Sequence, residues 1–418
     1  MLNKNNEREL AYVVIIDAIT PIEGYDRVEL AHVGGWTIVV GKGEFKAGDP
    51  AIYFEIDSKL PEVEPFTNME FLAKKHYKIK TQKMCKSISQ GLLMSAANFG
   101  WEAITNVDNM GDIVAIKDSD GIYHYNGAHW YADDESRFLT KQLGVTYAVA
   151  DDNFRKAATA DKYKKMAQRH GKLFSKQPFR WLMKHTWGKK LLFIFFGHKK
   201  DKRSWPAWVV KTDEERIQNM PWILNDKEPW IATEKIDGTS TTFTMKRGKW
   251  PHKNEFYVCS RNVVFDKPDK TCFYDTNVYI EMAEKYDIFN KMKDLLYNHF
   301  ADCEWITIQG ETYGPGIQKR DYHAPEHAFM AFNFITSQEG RWGTENMVEL
   351  LEKHMGIPCV PVLDTNFILP DTVEELLTYA TAESVCDHDL REGIVFRSKD
   401  GSKSFKAVSN EFLLKYHQ

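Results

Sequence analysis

Between Ala11 and Lys117 the chain is a succession of short β-branched or aromatic segments, AYVVIIDAI, GWTIVVG, AIYFEID, SISQGLLM and DIVAI, cut apart by Gly, Pro and Asp. Segments this short and this closely punctuated read as strands, because a helix needs a longer stretch repeating every three to four residues. They are too few for two packed sheets, so the spacing predicts a small barrel. The 418 residues leave room for one or two further domains, each with its own core. No run of 18 apolar residues is present, so no membrane-spanning helix is expected. The first residues, MLNKNNERELAYVV, lack the apolar centre and small-residue cleavage site of a secretory signal. Six cysteines (Cys85, Cys259, Cys272, Cys303, Cys359 and Cys386) are scattered without a C-x-x-C pair. That argues against a zinc knuckle or a disulfide framework and for a reduced, cytoplasmic protein.

Within the first block, Pro21 to Pro61 (PIEGYDRVELAHVGGWTIVVGKGEFKAGDPAIYFEIDSKLP) resembles an OB-fold of nucleic-acid-binding proteins, with Gly24, Gly35 and Gly48 where the chain must turn or bulge. The net charge of −4 conceals an asymmetry. Lys162 to Arg203 holds 14 of the chain's 55 Lys and Arg but one of its 59 Asp and Glu, Asp201. In this stretch KYKKMAQRHGKLF and FRWLMKHTWGKKLLFIFF mix cations with Trp and Phe in a helical pattern. Such a mixture suits a nucleic-acid backbone with stacked bases. An amphipathic helix on a membrane surface, packing on a neighbouring domain and a solvated linker are the other readings. After Pro206 the pattern turns mixed, with strands at WIATEKI, TTFTMKR, EFYVCSR, WITIQGE, AFMAFNFI, GIVFRS and SFKAV, and helices over Val278–Phe300 and Thr372–Thr381. The expected division is 1–117, 118–205 and 206–418.

The sharpest chemical signal is Thr233-Glu234-Lys235-Ile236-Asp237-Gly238-Thr239-Ser240, a K-x-D-G at the end of an apolar strand. A neutral lysine there can attack the α-phosphorus of a nucleotide and hold the nucleotidyl group as a phosphoramidate. A nearby divalent cation would favour the neutral amine, Asp237 would orient a metal-bound water, and Gly238 would let the backbone approach the ribose. Alone, the motif also reads as a surface β-turn with Asp-Gly at its corner. Downstream, at strands or strand ends, follow Ser260-Arg261-Asn262, Gly310-Glu311-Thr312-Tyr313-Gly314, Phe329-Met330-Ala331-Phe332-Asn333, Arg391-Glu392-Gly393-Ile394-Val395 and Ser404-Phe405-Lys406-Ala407-Val408. In order and spacing these resemble motifs I, Ia, III, IIIa, IV and V of the covalent lysyl nucleotidyltransferases: DNA ligases, RNA ligases and capping guanylyltransferases.

The resemblance implies a role for each residue. Lys235 is the nucleophile and Lys406 neutralises the α-phosphate. Arg261 contacts the ribose and later the terminal phosphate, and Phe332 stacks on the purine. Thr233 reads the adenine amine, and Glu234 and Gly238 line the nucleotide. Glu311 binds a ribose hydroxyl or orders metal waters. With Asp237 and Glu392 it forms the acidic set for Mg2+ or Mn2+, held mainly through water. Many RNA ligases carry K-x-K in motif V; here Val408 takes the second position, and Lys403 is the neighbouring candidate for the missing contact to the leaving phosphates.

Domain order separates the superfamily's members. DNA ligases and capping enzymes place an OB domain after motif V, whereas here 12 residues follow Lys406 and the OB-like segment lies in front. This layout is similar to RNA ligase family 5, as are the segments Trp205–Asn219 (WPAWVVKTDEERIQN) and Gly310–Gln318 (GETYGPGIQ). The expected architecture is α+β: an N-terminal OB-fold β-barrel, a basic helical linker and a C-terminal ATP-grasp-like nucleotidyltransferase domain of antiparallel sheets and helices. The expected function is ATP-dependent sealing of 3′-hydroxyl and 5′-phosphate ends in RNA or RNA/DNA nicked duplexes by a monomer. A DNA ligase or capping-type guanylyltransferase with rearranged domains, and a non-catalytic OB-fold nucleic-acid-binding protein, are the alternatives.

Overall fold

The computed structural model describes residues 1–105, 114–126, 135–148, 163, 166–167, 171–196, 205–211, 213–248, 253–265 and 277–416. They form two compact units: Met1–Ala148 with Glu214–Lys235 and Pro361–Gln418, and Val149–Asp213 with Ile236–Val360.

In the first unit, the small antiparallel sheets made by the N-terminal strands include two that build its cores. One has the order Ala11–Ile15, Pro50–Phe54, Leu92–Met94; the other is the meander Ala18–Ile22, Tyr25–Val33, Trp36–Gly41. Side-chain alternation along Ala11–Ile15 sends Tyr12 and Val14 into a core with Trp36, Ile38 and Tyr53, and Ala11 and Val13 into another with Ile52, Phe54 and Phe66. Burial on both faces explains why this strand reads as an unbroken apolar run. The strand Tyr25–Val33 escapes sequence reading because its first residues, Tyr25, Asp26 and Arg27, are exposed and polar-rich. Residues past 117 join this body: Tyr123–Asn126 pairs with Val114–Lys117, and Thr140 Oγ1 accepts from the Leu10 and Ala11 amides at 2.9 and 3.1 Å.

The same unit contains a four-stranded antiparallel sheet ordered Val362–Phe367, Trp230–Lys235, Gly393–Ser398, Ser404–Val408. One face presents Trp230, Ala232, Ile394, Phe396, Phe405 and Ala407 to the helix Val373–Ala380, whose start is capped by Thr372 Oγ1 accepting from the Glu375 amide at 3.2 Å. Gly35, at φ +79°, lies against Val373 and Gln218, where a Cβ would overlap Val373. The N-terminal strands and this sheet therefore share packing at a position only glycine fits.

The second unit is built on a six-stranded antiparallel sheet ordered Val264–Phe265, Glu255–Ser260, Thr239–Lys246, Trp305–Tyr313, Ala328–Thr336, Gly340–Arg341. Phe243, Met245, Ile306, Ile308, Phe329 and Phe334 pack its inner face on helices. The single helix expected over Val278–Phe300 is broken: Val278–Lys285 and Ile288–Asp294 are separated at Asp287, whose φ of 48° a continuing helix cannot accommodate. The described part of the basic stretch is helical, over Gly171–Phe174, Gln177–Lys184 and Thr186–Phe196, with a small core around Met166, Phe174 and Leu192. Among the described residues no helix is long and apolar enough to cross a membrane.

Candidate active site

Strand alternation decides which candidate residues share a surface. In Trp230–Lys235, Trp230, Ala232 and Glu234 fall on the core side, so Thr233 and Lys235 fall on the other. The ladder pairs Thr233 with Val395 and Val395 with Lys406; Lys235 pairs with Gly393, which pairs with Val408. Directly paired residues share a face, so Thr233, Lys235, Lys406 and Val408 stand together. Lys235 Nζ lies 2.7 Å from Glu392 Oε2, and the Glu392 side chain is only 10% exposed. Glu392 is held between two fixed neighbours. Arg391 caps the helix Val373–Ala380, its Nε donating to Ala380 O at 3.0 Å, and burial pulls its pKa down. On the other side, a Cβ at Gly393 would overlap Ala407 O.

Arg216 is a functional candidate that sequence reading did not single out. It bridges in parallel to Lys406, while the Lys406 amide donates to Glu215 O at 2.8 Å. Its guanidinium lies 5.7 Å above the Trp36 ring. Burial lowers the Arg216 pKa, and the nearby Glu392 carboxylate opposes that fall. The residue is one charge in the run Glu214-Glu215-Arg216, and nothing in its spacing marked it.

Two expected nucleotide-binding residues are not brought to this surface. Glu234 points to the core side, where Ser384 Oγ and the Val385 amide, the latter at 2.9 Å, donate to its carboxylate. Lys403 lies opposite Ser398, which pairs with Trp230, at the far end of the ladder from Lys235. Five strand residues separate the two levels, roughly 16 Å. The Lys403 ammonium is engaged by Asp226 at 2.7 Å. Val408 itself is 3% exposed and packs with Ile88 and Leu413, an apolar role that a lysine would break.

In the second unit, Asp237 and Gly238 are held by a segment far along the chain. The Asp237 amide donates to Tyr322 Oη at 2.7 Å, and Gln318 Nε2 donates to Gly238 O at 2.9 Å. Arg320 lies 4.3 Å over the Tyr322 ring. A Cβ at Gly238 would overlap Thr312 O and approach Glu311 Cγ to 2.9 Å, so this turn lies against the strand carrying Glu311. Glu311 pairs with Ser240 and Met330, on the face away from the helices. Phe332 is the extra residue of a β-bulge: Gln309 faces Asn333 and Gly310 faces Ala331. The bulge leaves Phe332 half-buried with Ile236, Tyr322 and Val360, beside Met330. Arg261 follows Ser260, which pairs with Thr241, placing it near the level of Ser240 and two strands, about 10 Å, from Glu311. There it pairs with Asp213 at 2.6 Å, both side chains more than half exposed. The segment 205–211 lies over the same sheet through Trp208 Nε1 to Thr244 Oγ1 (2.9 Å) and Gln309 Nε2 to Val210 O (2.8 Å).

Residues 228–417 match the family model described as RNA ligase, and residues 10–96 match a model of an OB-fold domain. The N-terminal strand assembly is thus the expected OB-fold, ahead of the ligase domain. No curated protein matches the chain. Among solved structures, Naegleria gruberi RNA ligase with PPi is similar at a TM-score of 0.58 and 25% identity, covering 98% of this chain and 99% of that one. A point mutant of that ligase with ATP and Mn gives 0.60 and 24%, covering 98% and 100%. Another with AMP and Mn gives 0.59 and 24%, covering 98% and 99%. Residues 228–417 of the chain belong to the RNA ligase family, behind an N-terminal OB-fold domain. That membership makes it a polynucleotide ligase, with nucleic acid as its substrate.

Proposed function

We propose that this ligase uses ATP to seal 3′-hydroxyl and 5′-phosphate ends, acting on nicks in duplexes with RNA on the 3′-hydroxyl side. The observation that carries the reading is Lys235: it ends a buried strand, pairs with Glu392 at 2.7 Å and shares a sheet face with Lys406. ATP, AMP and Mn in the Naegleria ligase structures support the nucleotide and metal assignment.

In the first step Lys235 Nζ attacks the α-phosphorus of ATP; the bond to the β-phosphate oxygen breaks and pyrophosphate leaves. Attack needs the nitrogen lone pair, so the Lys235–Glu392 ion pair must open before it. Lys406, with Arg216 beside it, supplies positive charge where the α-phosphate gains negative charge. In the second step a 5′-phosphate oxygen attacks the same phosphorus, the P–N bond breaks, and Lys235 is released as the adenylate passes to the 5′ end. In the third the 3′-hydroxyl attacks the activated 5′-phosphate, a phosphodiester forms and AMP leaves. Thr233 reads the adenine, Phe332 stacks on it, and Arg261 binds first the ribose and then the terminal phosphate. Asp237, Glu311 and Glu392 are hard-oxygen donors suited to Mg2+ or Mn2+. The cation supplies charge that favours the neutral amine and screens the phosphates. The chain acts in the cytoplasm on this reading.

Incubation with α-labelled ATP and magnesium, followed by a denaturing gel, tests the reading: label is expected on the parent protein and none on Lys235→Met. Label from GTP alone would mean capping chemistry. No label from either nucleotide, with nucleic-acid binding that persists in Lys235→Ala, would mean a binding module. A nicked duplex with RNA or DNA on the 3′ side then tests the substrate preference.

A further inference from the structure

The helices over 171–196 carry six Lys or Arg and no acidic residue, in a chain whose net charge is −4. Their own core accounts for Phe174, Leu192 and the half-buried rings around them, but not for the corner between the second and third helices. There Trp181 and Trp187 are 54% and 55% exposed. His185 lies between them in sequence and against both in space, with ring centroids 4.8 Å from Trp181 and 6.1 Å from Trp187, the latter stacked at 21°. The corner is built rather than loose. Gly188 is buried against Leu182, whose carbonyl a Cβ would overlap, so the two helices cross at a contact that only glycine permits.

We propose that this corner is a stacking platform for unpaired nucleotides of an RNA strand. Flat rings left half-exposed offer faces to bases, which stack regardless of sequence, while Arg180, Lys184 and Lys190 are exposed alongside to meet phosphates. Bases inside a duplex keep their own stacks, so the occupant is single-stranded. Charge complementarity selects a polyanion, and the choice of RNA among polyanions rests on the ligase reading. The platform gives the enzyme a grip on substrate outside the residues matched by the RNA ligase model.

The test is anisotropy of a labelled single-stranded oligoribonucleotide titrated with the full chain. Trp181→Ala/Trp187→Ala should raise Kd at least about tenfold without changing its salt dependence. Lys184→Gln/Lys190→Gln should lower the slope of log Kd against log salt by about one to two. Ile194→Ser/Phe195→Ser, which alters the exposed apolar end of the last helix, should leave Kd within about twofold. An unchanged Kd in the tryptophan variant overturns the proposal. So does a Kd equally weakened by the Ile194/Phe195 variant, and so does loss of binding to phosphatidylserine vesicles with RNA affinity unmoved, which would make the corner a membrane contact. Lysyl-AMP formation by the parent is scored separately: its failure sinks the ligase reading, while the RNA titration still decides the platform.

Discussion

The two sheets that carry the candidate residues solve the same problem by different means. Each buries one face on an apolar core and carries candidate residues on the other. On the four-stranded sheet the working groups are cations, Lys235 and Lys406 with Arg216 alongside, the two lysines fixed two rungs apart on a regular ladder. On the six-stranded sheet they are carboxylates and a ring, and irregular structure holds them: Tyr322 and Gln318 grip the Asp237-Gly238 turn, and a bulge re-aims Phe332. A rung position is set by every hydrogen bond in the sheet, whereas a loop-held position depends on one or two. Damage to the first set should therefore act through lost chemistry, and damage to the second through lost position.

The largest expected effect is at Lys235. Lys235→Met removes the nucleophile but keeps the length of the side chain, so lysyl-AMP formation should fall by at least about 10^4-fold, with the thermal midpoint little changed. Next comes Lys406→Ala, which strips a charge from the same face; labelling by ATP should fall about 10^2- to 10^3-fold. Should both variants instead lose activity only in proportion to lost folded protein, the distinction between chemistry and position collapses.

The ladder-held part of the site was legible in the sequence because strands print their faces as alternation. WIATEKI, GIVFRS and SFKAV each announced a strand, and the resemblance of the motifs in and beside them to those of the lysyl nucleotidyltransferases marked Lys235, Glu392 and Lys406. Alternation also carried the information that Glu234, adjacent to Lys235, must face the core. Arg216 and Tyr322 were not legible: their significance comes from pairings with Lys406 and Asp237, at separations that no local pattern encodes. The break at Asp287 was hidden because the apolar spacing continues across it, and the strand Val362–Phe367 because its edge position leaves it only partly buried.

A milder variant sharpens the comparison on the loop-held side. Tyr322→Phe keeps the ring that packs with Ile236 and Tyr313 but deletes the hydroxyl that accepts from the buried Asp237 amide. An amide left without its acceptor costs about 1–3 kcal/mol. If that cost is expressed in the placement of Asp237, adenylation should slow by about tenfold, and the magnesium concentration for half-maximal activity should rise. A loss of activity with unaltered magnesium dependence would show that Tyr322 acts on something other than the carboxylate.

The smallest effect is expected at Lys403, and it bears most directly on how register sorts these cations. Lys403 and Lys406 are three residues apart in sequence and equally cationic, yet Lys406 is two rungs from the level of Lys235 and Lys403 is five, with its ammonium on Asp226. Lys403→Ala should therefore leave lysyl-AMP formation within about threefold and lower stability by no more than about 1 kcal/mol, the usual value of an exposed pair. The hydrogen bond from Lys403 holds the Asp226 carboxyl below its ordinary pKa. That small stabilisation is present at neutral pH and lost as pH falls through the lowered value, so the thermal midpoints of parent and variant should converge on acidification. A loss of activity as large as that of Lys406→Ala would mean that the side chain leaves Asp226 to reach the nucleotide, and that ladder level does not decide which lysine serves the phosphates.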